Sequence, residues 1–288
     1  MTDHIALVSE TPSVSLDELT QVAAAVQKQV TRDASPIWNL SATVDGFGKL
    51  EDVPPGYWHV LIRDDVPGDE AGVHQLDGTN QPYALVQFGT QWSLTASHEV
   101  LEMLVDPFGS RLSAGDSPKP DQGRVQFLVE ICDPCQSAAF AYTVNGVLVS
   151  DFCTPEYFAP TGTTSAQYSF TGAVSGPRQV LADGYLTWVY PPTGHLWQLL
   201  MEGGARRLTD VGPQAVATAC LRQAADRPRA AMRERAYRQT PRPGLKVHLG
   251  VGRAGPTVSQ DPAATAIAAA LRRQVLRQLQ APTSDAPP

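Results

Sequence analysis

The chain has no apolar run near the roughly 18 residues that a membrane-spanning helix needs. Its first residues, Met1–Ile5, lack the basic and apolar regions of a secretory signal, so we expect a soluble, cytoplasmic protein. Only four cysteines occur in 288 residues. Cys132 and Cys135 have no second pair at zinc-ribbon spacing, which excludes that class of site. We expect them to be small buried core residues, with a redox or disulfide role as the alternative.

Positive charge is scarce in the first part of the chain. Residues 1–200 hold 8 Lys and Arg against 23 Asp and Glu, a net charge of −15, whereas residues 201–288 carry +8. This asymmetry is typical either of an anionic partner or of a basic extension that folds back on its own acidic domain. The arginines between Arg206 and Arg242 have little aromatic interleaving, so a nucleic-acid partner is not expected.

The change in composition predicts three regions. Residues 1–200 are expected to form an α+β domain, residues 201–252 a basic, partly helical extension, and residues 253–288 a low-complexity tail. Within the domain, Ser15 and Glu18 form a capping box for a helix over residues 15–31. Strands are predicted at Trp38–Val44, Tyr57–Ile62, Tyr83–Phe88, Val125–Ile131 and Tyr185–Tyr190, a hairpin at 139–152, and polar loops at 64–78 and 111–123.

A second helix, from about Ser93 to Pro107, carries one stripe of ionisable side chains. His98, Glu102 and Asp106 stand at positions i, i+4 and i+8, with Glu99 beside them, so the four share an arc about 100° wide. The rest of the helix surface is apolar, and residues 64–110 contain no Lys or Arg. Because buried carboxylates need a counter-charge, this pattern indicates a metal ion. The alternative is a solvated acidic face.

The order helix, three strands, then a helix bearing His98-Glu99-x-x-Glu102 resembles the zincin metallopeptidases, over about residues 15–135. Their His-Glu-x-x-His motif supplies two metal ligands and a general base. The resemblance implies a mixed sheet packed on both helices, with His98 as the first ligand and Glu99 as the base. Glu102 stands where the second histidine belongs, and a carboxylate there suits zinc but also manganese.

The third ligand is taken from the gluzincin branch of that family. Glu130 resembles the downstream glutamate that completes the metal site in gluzincins, and Asp133 would then orient His98. Asp106 is the competing third ligand, because it already lies on the stripe.

The resemblance implies a metal-dependent hydrolase, most specifically a peptidase with one divalent ion, zinc or else manganese, and a peptide or protein substrate. His195 is the candidate for stabilising the developing oxyanion, with Tyr190, Tyr157 and His74 as further candidates. Tyr83–Phe88 is the predicted edge strand for substrate binding. The alternative function is a catalytically inactive zincin-like binding or assembly protein with a structural metal or none.

Overall fold

The computed structural model describes residues 2–66, 71–159, 166–213 and 221–222, all within one compact unit. They form a mixed α+β fold, as predicted. Its helices are α1 (Leu16–Lys28), α2 (Ser35–Trp38), α3 (Trp92–Val105) and α4 (Pro155–Phe158). Its strands are β1 (Asp3–Ser9), β2 (Ala42–Phe47), β3 (Trp58–Arg63), β4 (Gly72–Leu76), β5 (Pro82–Gln87), β6 (Leu112–Asp116), β7 (Arg124–Leu128), β8 (Tyr142–Val144), β9 (Val147–Val149), β10 (Tyr185–Tyr190), β11 (His195–Glu202) and β12 (Ala205–Pro213). Across this part of the chain, no helix is long and apolar enough to cross a membrane.

The first sheet has the strand order β2-β1-β3-β5-β4, in which only β4 runs antiparallel to its neighbour. Strand β1, which lies between β2 and β3, was not predicted from the sequence. Residues 5–8 of β1 are all buried, so both faces of the strand are covered. A short strand buried on both faces lacks the alternation that marks a half-exposed strand.

Helix α1 begins as predicted, with the Ser15 hydroxyl accepting a hydrogen bond from the Glu18 backbone N–H. It continues as a π-helical turn over Gln29–Ala34 and then as α2. The predicted strand at Trp38–Val44 is therefore wrong at its start, because Trp38 ends α2 and β2 begins at Ala42.

The prediction that Tyr83–Phe88 forms the edge of this sheet is also wrong. The corresponding strand, β5, pairs with β3 on one side and β4 on the other. The edge strand is β4, which lies inside the segment predicted as an acidic loop. Of its residues only Val73 and Leu76 are apolar, and acidic and glycine-rich residues surround the strand, so the local composition favoured a loop.

The second sheet is antiparallel, with the order β12-β11-β10-β7-β6. Strand β6 replaces part of the loop predicted at 111–123. Strand β11 crosses the predicted boundary at residue 200, and residues 205–213 form strand β12. The predicted hairpin is present as β8 and β9, which turn at Asn145 and Gly146 with positive φ at both. Apart from Leu221 and Arg222, the predicted extension and tail beyond residue 213 lie outside the described residues.

Asp151 gives the fold a pH dependence that is separate from the α3 stripe. Burial raises the pKa of its carboxyl, against hydrogen bonds from Thr171 and Phe152. The folded state therefore binds a proton more tightly than the unfolded state, and this contribution to stability is lost as pH rises through the folded pKa.

The difference in urea midpoint between Asp151→Asn and wild type is expected to depend on pH. It should favour the variant more at pH 7 than at pH 4. The amide oxygen still accepts the backbone N–H bonds, while the cost of burying a charge disappears. Urea unfolding at both pH values measures this difference, with the exposed Asp183→Asn as control. A variant whose deficit is larger at pH 7 than at pH 4 would contradict the expectation.

Candidate metal centre

The ionisable stripe of α3 is buried. His98 is 9% exposed, Glu99 and Asp106 are 2% exposed, and Glu102 is fully buried. The helix packs on β5, β4 and β9, so nearly every side chain after its first turn faces protein. The alternative of a solvated acidic face is therefore wrong, and the charge of the stripe has to be balanced inside the protein.

Glu102 lies at the centre of a buried cluster of charged side chains, formed by His74, His98, Glu99, Glu102, Glu130 and Arg222. Its Oε1 accepts hydrogen bonds from the backbone N–H groups of Cys132 (3.0 Å) and Asp133 (3.3 Å), while its Oε2 lies 3.1 Å from His98 Nε2. Asp133 Oδ1 lies 3.3 Å from the same nitrogen. The Glu102 carboxylate and the contact between His98 and Asp133 thus attach the segment after β7 to α3.

Glu130 enters the cluster from that segment, two residues beyond the end of β7. One of its oxygens, Oε2, accepts a hydrogen bond from Arg222, and the other, Oε1, is buried without a hydrogen-bond partner. The structure therefore brings Glu130 to the α3 stripe, where the sequence placed it as third ligand.

Arg222 supplies positive charge to these carboxylates. Its Nη1 lies 2.5 Å from Glu102 Oε2 and also donates to Glu130, and its Nη2 lies 3.1 Å from Glu99 Oε2. The backbone N–H of Arg222 donates to Gly109 O, and Leu221 packs in a small apolar cluster with Leu128, Val189 and Leu196. Sequence motifs did not single out Arg222. The charge asymmetry of the sequence was the only indication of such a contact, because one of its two interpretations was a basic extension that folds back on the acidic domain.

His74 completes the cluster from β4. It is 1% exposed, and its Nδ1 lies 2.5 Å from Arg222 Nη1 and 3.4 Å from Glu99 Oε2. The strand approaches α3 closely because Gly72 has no side chain: a Cβ there would lie 2.5 Å from Thr95 Cγ2 and 2.6 Å from Glu99 Oε1. The sequence offered His74 only as one of several oxyanion candidates.

These contacts shift the ionisation of the cluster. Burial disfavours the charged imidazole of His98, but Glu102 and Asp133 outweigh it and raise the pKa to about 10. Burial likewise raises the pKa of Glu102, yet His98 and Arg222 hold it well below its usual value. For Glu99, Arg222 and His74 outweigh burial and lower the pKa. Burial, joined by Glu102 and Asp133, leaves the pKa of Glu130 well above its usual value despite Arg222.

Asp106 and His195 have other contacts. The Asp106 carboxylate accepts hydrogen bonds from the backbone N–H groups of Ser110 (3.1 Å) and Arg111 (2.7 Å), which closes the turn after α3. His195 begins β11 and pairs through Nδ1 with Asp210 of β12 at 2.9 Å, both side chains being partly exposed. These bonds give Asp106 a structural task and place His195 in the second sheet.

Two groups of side chains in the described part of the chain have donor atoms within 4.8 Å of one another: His98, Glu102 and Cys132, and His74, Glu102 and Glu130. Burial and the Glu102 charge raise the pKa of the Cys132 thiol well above its usual value, which disfavours the thiolate that a metal binds. Cys132 and Cys135 are free and buried, as predicted for core residues, and Cys153 is free and buried as well. The second group offers one imidazole and two carboxylates, a set that suits zinc or manganese.

No protein-family model matches the chain, and no curated protein or solved structure matches it. Function is therefore inferred from the geometry of α3, β4 and the Glu130–Asp133 segment.

Proposed function

We propose that the chain is a metal-dependent hydrolase of the zincin type, acting as a peptidase. A divalent ion, zinc or else manganese, is held by Glu102 and Glu130 together with one imidazole, which the sequence resemblance takes from His98. The observation that carries this proposal is the buried cluster itself. Three glutamates and two histidines from α3, β4 and the segment after β7 meet in the interior, and a guanidinium lies among them.

Two further features support a peptidase. The first sheet is mixed and packs on α1 and α3, as the resemblance implies. Its antiparallel edge strand β4 runs beside α3, and in the described residues it pairs only with β5. An extended peptide would add to β4 along the side opposite β5, so β4 replaces Tyr83–Phe88 as the substrate strand.

The protein groups have distinct tasks in this mechanism. A bound divalent ion supplies Lewis-acid chemistry, which makes water nucleophilic near neutral pH and polarises a carbonyl. Glu99, whose Oε2 faces the cluster, takes the proton of the attacking water and passes it to the leaving amine. Arg222 lowers the pKa of Glu99, so Glu99 is a weaker base while the guanidinium is in contact with it.

We expect Glu99→Gln to lower kcat for peptide cleavage by about 10²- to 10⁴-fold, the usual contribution of a general base. Metal content should stay near that of wild type, because the ligands remain. The measurement is cleavage of a peptide library by the full chain loaded with zinc or manganese, together with elemental analysis of the protein. Glu202→Gln, an exposed site on β11, is the matched control. A folded wild type without stoichiometric metal after loading would rule out the metal-dependent hydrolase, and a fully active Glu99→Gln would rule out Glu99 as its general base.

A non-catalytic binding or assembly protein is the second candidate. Glu102 Oε1 accepts two backbone hydrogen bonds, and Arg222 contacts all three glutamates, so the cluster also has a structural role without an ion. Metal-free, folded wild type that cleaves no peptide at any added metal concentration would favour this candidate.

A further inference from the structure

We propose that a divalent ion and the Arg222 guanidinium compete for one position, at which His74, Glu102 and Glu130 are the ligands. This inference rests on the proposed metal-dependent function and deepens it in two respects. It names His74, rather than His98, as the imidazole ligand. It also assigns Arg222 as an internal cation that has to leave before the ion binds.

One atom marks the position. Arg222 Nη1 lies 2.5 Å from His74 Nδ1 and 2.5 Å from Glu102 Oε2, and it also donates to Glu130 Oε2. The donor atoms of these three side chains lie within 4.8 Å of one another. Three lone-pair donors from α3, β4 and the segment after β7 therefore converge on a single cationic nitrogen.

His74 faces the same cation. Its Nδ1 lies against Arg222 Nη1, and Glu99 Oε2 lies farther away, at 3.4 Å. Because arginine carries only hydrogen-bond donors, the contact between Nη1 and Nδ1 is a hydrogen bond in the tautomer whose Nδ1 carries the lone pair. A metal ion uses the same lone pair of a neutral imidazole.

Glu130 shows independently that the Arg222 guanidinium does not satisfy every hydrogen-bond acceptor at this position. Its side chain is nine-tenths or more buried, yet Oε1 has no hydrogen-bond partner while Oε2 binds Arg222. A buried acceptor without a partner costs free energy. A divalent ion that binds both oxygens of this carboxylate would satisfy it.

His98 has a different task. Its Nε2 faces Glu102 Oε2 and Asp133 Oδ1, at 3.1 Å and 3.3 Å, rather than Arg222. This nitrogen therefore lies between two carboxylates and fixes the side chain of Glu102. We assign His98 as a positioning residue, whose loss weakens metal binding less than the loss of a ligand.

Titration of the metal-free full chain with Co²⁺, followed by its visible absorption spectrum, tests the competition. Because a positive charge beside the ligands opposes a cation, Arg222→Gln should bind Co²⁺ at least about tenfold more tightly than wild type. Arg124→Gln, at an exposed arginine beside Asp116, is the matched control and should not change the affinity. Arg222→Lys keeps the charge without the forked contacts and should fall between the two.

The ligand assignment is tested in the Arg222→Gln background. Adding His74→Gln should lower Co²⁺ affinity by about a hundredfold and remove the nitrogen-ligated spectrum, whereas adding His98→Gln should cost about tenfold. Thermal unfolding with and without Co²⁺ reports whether each variant is folded. If Arg222→Gln folds only with metal, Arg222→Lys supplies the comparison.

Two results would overturn the inference: wild-type affinity in a folded Arg222→Gln or Arg222→Lys, or an unchanged spectrum after His74→Gln. Failure of the proposed function has a different signature. If Arg222→Gln binds Co²⁺ more tightly through His74 but no metal-loaded form cleaves peptide, the site stands and the hydrolase does not. If wild type cleaves peptide and Arg222→Gln gains no affinity, the hydrolase stands and the competition does not.

Discussion

Glu102→Ala is expected to lower the free energy of unfolding of the metal-free protein by about 3–5 kcal/mol, the range for breaking a buried ion pair by removing one partner. The substitution leaves His98 and Arg222 without the carboxylate that both contact. It also leaves the backbone N–H groups of Cys132 and Asp133 without their acceptor. The loss therefore combines unpaired buried charge with two unsatisfied buried donors.

Urea unfolding of the metal-free variant measures this effect, with Glu202→Ala as control. Glu202 is about half-exposed and pairs with Arg207 at 3.4 Å, so its removal should change stability by less than about 0.5 kcal/mol. Glu102→His, which restores the two-histidine spacing of zincins, should also be destabilised, because an imidazole cannot accept from both backbone groups while binding His98 and Arg222. A loss below 1 kcal/mol in Glu102→Ala would show that the cluster contributes little to stability.

Gly184→Ala is expected to destabilise the fold by about 3 kcal/mol, the upper end of the usual cost of overpacking. A Cβ on Gly184 would lie 2.5 Å from Pro134 O and 2.9 Å from Asp133 O. These neighbours are backbone atoms, which cannot move aside as the end of a flexible side chain does. Because the same segment carries Asp133 against His98, the variant should also bind metal less tightly.

The matched control is Gly176→Ala, since a Cβ at Gly176 meets nothing within 4 Å and its φ is not positive. The two variants make the same chemical change in the same second half of the chain. Thermal unfolding and Co²⁺ titration of both measure the difference. Equal midpoints for the two would mean that the contact between Gly184 and the Asp133–Cys135 turn relaxes without cost.

The sequence by itself determined those features that depend on neighbours within a few residues. The four-residue spacing from His98 to Asp106, set among apolar residues, predicted α3 and its stripe, because helical geometry alone decides which side chains share a face. Ser15 and Glu18 predicted the start of α1 in the same way. The absence of basic residues from 64–110 indicated that no neighbour in the sequence neutralises the stripe, and from this we predicted a metal ion.

The tertiary structure decided which distant residues meet that stripe. His74 reaches it because β4 adds antiparallel to β5, and Arg222 reaches it across 120 residues from Glu102. Strand pairing, and the packing of Leu221 beside β7, β10 and β11, fix these positions, and no local pattern encodes either one. Asp106 shows the converse. Its helical spacing made it a candidate ligand, but α3 ends at Val105, and the carboxylate closes the following turn instead.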